Sequence, residues 1–102
     1  MGSQLDKVIM SLSGDDLWKM LERHQRKTFY TAKNLPFTYE IRGGEMFVDR
    51  RSKSITKATF CRALERIKEA PEKITGPKSL NVFGAPYIFA LLRSLSEKLS
   101  EN

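Results

Sequence analysis

Apolar residues recur along this chain with two periods, and the change of period marks the elements. Leu5, Val8, Ile9 and Leu12 fall at i, i+3, i+4 and i+7, one face of a 3.6-residue repeat. They predict a helix over residues 4–12, with Ser3 to cap it and Gly14 to end it. Asp15 or Asp16 caps a second predicted helix that runs to about Lys27. Leu17, Met20, Leu21 and His24 share its apolar side, and Trp18 borders it. Residues 28–31 have strand composition. From Phe37 the period drops to two. Phe37 to Arg42 and Glu45 to Arg50 alternate around Gly43-Gly44, which predicts a hairpin with a type I′ turn. Its register sets Ile41 against Met46, Tyr39 against Val48 and Phe37 against Arg50.

The helical period then returns. A third helix is expected from Ile55 or Thr56 to about Ala70, where Pro71 stops it; Phe60, Ala63, Leu64 and Ile67 form its core side. Ser79 to Phe83 allow a short strand. A last helix is expected from near Pro86, with Ile88, Leu92, Leu95 and Leu99 spaced 4, 3, 4. The expected fold is α+β: one domain over residues 1–102, about four helices on a hairpin or small antiparallel sheet, in the order α-α-β-β-β-α-α.

Charge adds a direction to this picture. The net charge is +6, and its placement is uneven. Residues 23–57 hold nine Lys/Arg against Glu40, Glu45 and Asp49, a surplus of six, while residues 1–22 are net negative. Concentrated positive charge attracts polyanions. One cysteine, Cys61, allows no internal disulfide. No stretch reads as a signal peptide, and the longest apolar run, Val82 to Leu92, is too short to span a bilayer. The expected setting is therefore cytoplasmic, or nucleoid-associated or nuclear for a DNA binder, with no membrane partner.

Catalytic signals are sparse. One His and one Cys cannot assemble the usual zinc ligand sets, and no phosphate-binding glycine motif occurs. His24 has no acidic partner nearby in sequence, and Cys61 reads as a packed mid-helix thiol. No enzyme activity and no cofactor are expected.

The strongest motif is Ile55-Thr56-Lys57-Ala58-Thr59-Phe60-Cys61-Arg62-Ala63-Leu64-Glu65-Arg66-Ile67. It resembles the recognition helix of GntR-like helix-turn-helix regulators over those 13 residues, although here a hairpin precedes the helix instead of another helix and a tight turn. The resemblance implies Thr56 as N-cap, Lys57 and Thr59 aimed at phosphate or base edges, and DNA as partner. Arg50, Arg51, Lys53 and Lys57 run from the hairpin exit into this helix with Ser52, Ser54 and Thr56 interleaved, the residue types that contact a nucleic-acid backbone. Arg42 at the hairpin tip and Arg62 on the helix complete the expected site, and Tyr30, Tyr39 and Phe47 offer stacking surfaces. The function expected is binding of nucleic acid, duplex DNA foremost, by a regulator or a mobile-element or phage-associated protein. The alternative is a protein-interaction module using an acidic partner, exposed Phe47 or the C-terminal helix. The stripe Ile88, Leu92, Leu95 and Leu99 is expected foremost to cover the apolar face of the hairpin within the chain; a homodimer through it is the second reading, because the spacing is heptad-like.

Overall fold

The computed structural model describes the backbone of residues 11–50 and 53–100, and side chains as far as Ser96. The helix expected over residues 4–12 lies almost wholly outside the described residues, as do Arg51 and the side chain of Leu99. The first described helix, α1, spans Gly14–Arg23, with the Ser13 hydroxyl accepting from the Asp16 amide at 3.0 Å. It stops four residues before the expected Lys27. Arg26 takes a left-handed φ of 71°, and its N–H donates to the Tyr39 carbonyl at 2.9 Å. The Gln25 side chain accepts from the Ile41 N–H at 2.9 Å. Backbone pairing with the hairpin thus outcompetes another helical turn.

Two small antiparallel sheets follow. In one, β1 (Phe29–Tyr30) pairs with β2 (Pro36–Phe37), placing Phe29 against Phe37. In the other, β3 (Tyr39–Arg42) pairs with β4 (Glu45–Val48), and β4 pairs with β5 (Ile55–Thr56). The hairpin register is the one expected: Tyr39 faces Val48, Glu40 faces Phe47, Ile41 faces Met46 and Arg42 faces Glu45.

Two details of the hairpin differ from expectation. Gly43 alone of the turn pair has positive φ, 63°, the pattern of a type II′ rather than a type I′ turn. Phe37 does not pair with Arg50. Its ring lies 6.1 Å from Phe29 and 5.1 Å from Tyr87, a buried aromatic setting that a cross-strand arginine cannot supply.

Helix α2 spans Lys57–Glu69 with Thr56 as N-cap, and buries Phe60, Ala63, Leu64 and Ile67. Trp18 of α1 meets Phe60 edge-on at 5.6 Å. After Pro71 the chain makes two short 3-10 turns, Pro71–Lys73 and Pro77–Leu80. The second replaces the allowed strand, and Leu80 is fully buried there.

The last helix, α3, spans Ala85–Ser100. Five successive residues, Ile88 to Leu92, are buried, so α3 is sheathed on every side at its centre. Of the two expectations for this stripe, packing within the chain is the one this burial matches. Ile88, Leu92 and Leu95 have no exposed surface, because the chain's own core consumes them. Gly84 opens α3 at φ 74°, where a Cβ would come within 2.5 Å of Ile55 Cδ1. The architecture is therefore α+β, with three helices and two small antiparallel sheets among the described residues; the remaining expected helix, over residues 4–12, falls almost wholly outside them. No helix among them is long and apolar enough to cross a membrane.

Candidate nucleic-acid interface

The expected cations separate into two groups at opposite ends of β4. At the hairpin tip, the Trp18 indole N–H donates to the Gly43 carbonyl at 3.2 Å and the Lys57 amide donates to the Gly44 carbonyl at 2.9 Å. The turn is thereby fastened to α1 and to the start of α2, and Arg42 and Lys57 flank it. Both cations meet carboxylates. Arg42 lies 3.3 Å from Glu40, which Arg26 also approaches at 3.7 Å. Lys57 Nζ sits 2.5 Å from Asp15 Oδ1. The Lys57 ammonium holds the Asp15 carboxyl below its ordinary range, and Asp15 raises Lys57 in turn. Glu40 and Glu45 lie on the outward face near the turn, so the tip carries little uncompensated charge; Asp49 lies at the other end of β4, beside Arg50, where its Oδ1 accepts from the Thr38 amide at 3.1 Å.

The first turn of α2 is also occupied. Thr59 is buried; its amide donates to Thr56 Oγ1 at 3.2 Å, and the two hydroxyls are 2.9 Å apart. Thr59 is thus a core and capping residue that cannot reach a base edge, which corrects its expected role. Arg62 is exposed and leans back towards the same hydroxyl at 3.5 Å.

At the other end of β4 the cations have no carboxylate partner among the described residues. Arg50 is exposed, and its Nε donates to the Pro36 carbonyl at 2.6 Å, which ties the hairpin exit to β2. Lys53 Nζ lies 5.2 Å above the Phe83 ring. A cleft of about 490 Å³ is lined by Lys33, Leu35, Pro77, Lys78, Pro86 and Tyr87 among others. A second depression shares Lys78 and is lined by Phe83. Pro36, which Arg50 contacts, follows Leu35 of the cleft lining in sequence, and Phe83, beneath Lys53, lines the depression that shares Lys78. Tyr30, cross-strand from Pro36, is 53% exposed, and Leu35 is 45% exposed.

Lys33 and Lys78 were not in the expected site. The signal that finds them is the spacing of acids: residues 23–39, 50–64 and 73–96 contain no Asp or Glu. The fold brings parts of all three stretches together at this face. Of the expected stacking residues, Tyr39 is buried, with its hydroxyl donating to the Leu21 carbonyl at 2.7 Å. Phe47 is exposed beneath the Arg42 guanidinium, 5.0 Å from the ring centroid, at the compensated end.

The remaining candidate groups are engaged in packing. His24 Nδ1 donates to the Met20 carbonyl at 2.9 Å. Cys61 fills the α1–α2 crossing so closely that a Cβ on Gly14 would lie 2.5 Å from its sulfur. Among the described residues, no three His, Cys, Asp or Glu side chains gather where they could hold a metal ion. No protein-family model matches the sequence, and no curated protein or solved structure is significantly similar to it.

Proposed function

We propose that this chain is a nucleic-acid-binding domain, acting by binding rather than catalysis, and that it grips the phosphate backbone through Lys33, Arg50, Lys53 and Lys78. One observation carries the reading: segments free of acidic residues come together on one face, and Lys33, Arg50, Lys53 and Lys78 there make no ion pair among the described residues. Backbone contacts fix position without reading sequence, and these are the side chains that make them. Nothing in this grip depends on inserting α2 into a groove. Its first turn is held by Gly44 and Asp15, and Arg62, on the exposed flank of the 55–67 motif, lies outside the four-residue grip.

The test is charge reversal. The triple variant Arg50→Glu, Lys53→Glu, Lys78→Glu is expected to lose at least tenfold in affinity for DNA at low salt. The thermal transition should move by only a few degrees, since three exposed side chains and about one hydrogen bond are altered. Arg42→Glu, at the compensated tip, is expected to change affinity less than threefold. Equal losses in the two variants would remove the proposed face.

A further inference from the structure

We propose that the cleft between the 31–35 loop and the 75–79 turn is a subsite for one unpaired base, so that the protein prefers single-stranded nucleic acid over duplex. This rests on the nucleic-acid reading and specifies its substrate class. The cleft has the volume of a small-molecule pocket, about 490 Å³. Its walls are mostly apolar, with Leu35, Pro77, Pro86 and Tyr87 presented to it, and no acidic residue lines it. An apolar site with an aromatic wall suits a flat, uncharged body, because every base has a π-face to place there.

Two lysines, Lys33 and Lys78, line the same cleft and have no carboxylate partner among the described residues. They suit an anion attached to that body. Two hydroxyls of the lining hold its own backbone: Thr31 Oγ1 accepts from the Leu35 amide at 3.1 Å, and Ser79 Oγ accepts from the Thr75 amide at 3.2 Å. A nucleotide within a strand is chosen over a free amphipathic anion because further cations lie beyond the lining: Arg50 through Pro36, which follows Leu35, and Lys53 through Phe83, in the depression that shares Lys78. A base in a duplex is stacked and paired, and reaching the cleft would require its extrusion.

The experiment compares a ten-nucleotide oligo-dT, an abasic strand of the same length and charge, and a ten-base-pair duplex, at one salt concentration. Oligo-dT is expected to bind at least tenfold tighter than the abasic strand and tighter than the duplex. Leu35→Asn, which removes an apolar wall without changing charge, is expected to erase most of the oligo-dT advantage and leave abasic binding unchanged. Amide shifts on adding oligo-dT should centre on Ala32, Leu35, Gly76 and Tyr87. This map is read on the unaltered protein and does not depend on any variant folding. Equal affinity for oligo-dT and the abasic strand, or shifts that avoid the cleft, would overturn the subsite and leave the backbone grip standing. Failure of all three ligands to bind would overturn both.

Discussion

Tyr39 shows how one side chain serves two elements. Its ring is buried 5.8 Å from Phe29, and its hydroxyl donates to the Leu21 carbonyl near the end of α1. Burial pushes its pKa well above the ordinary tyrosine value, because the phenolate would be stranded away from water. A folded-state pKa raised above the unfolded one means a stability contribution that is complete below 10.0 and is lost as pH rises beyond it. Tyr39→Phe is expected to destabilise the fold by about 1–2 kcal/mol at neutral pH, since the Leu21 carbonyl loses a partner. The same variant should flatten the alkaline limb of the stability curve. Chemical denaturation at pH 7 and above pH 10 checks both, and an unchanged alkaline limb would refute the assignment. At this scale the sequence was readable where a residue acts alone and unreadable where it acts at a distance. The cap at Thr56 is visible in Thr56-Lys57-Ala58-Thr59. The left-handed Arg26 is not, because its conformation serves a bond to Tyr39, 13 positions away.

Among the elements, those with several periods of pattern were legible and those of two residues were not. The β3–β4 register follows from strict alternation around two glycines, since a slip by one would turn every apolar side chain outward. Strands β1, β2 and β5 have two residues each, too few for any period, and tertiary contacts define them. Helix α3 was legible as a helix but not as the centre of the molecule. A 4, 3, 4 stripe describes one face, whereas Phe89, Ala90 and Leu91 between its members bury the others too. From this position, Leu92→Ala is expected to cost about 2–5 kcal/mol, the range for a truncated core leucine. Denaturant midpoints should not depend on protein concentration for either form. A cost under 1 kcal/mol, or a midpoint that rises with concentration, would return Leu92 to an intersubunit seam.

For the whole molecule, the charge asymmetry was legible and its partition was not. The surplus of residues 23–57 is plain from composition, but only the fold separates a tip where Glu40 and Asp15 answer Arg42, Arg26 and Lys57 from a far face whose cations make no ion pair among the described residues. It also recruits Lys78 from outside that stretch. A backbone grip of this kind releases about one condensed counterion per phosphate contacted, so affinity must fall as a power of salt concentration. The most direct measurement is the slope of log affinity against log salt for the unaltered protein and for the Arg50→Glu, Lys53→Glu, Lys78→Glu variant. Four contacts predict a slope of roughly −3 to −4 on duplex DNA and a somewhat shallower one on a single strand. The variant should be nearly flat wherever binding can still be read. A slope near zero for the unaltered protein, or one that survives the triple reversal, would contradict the account.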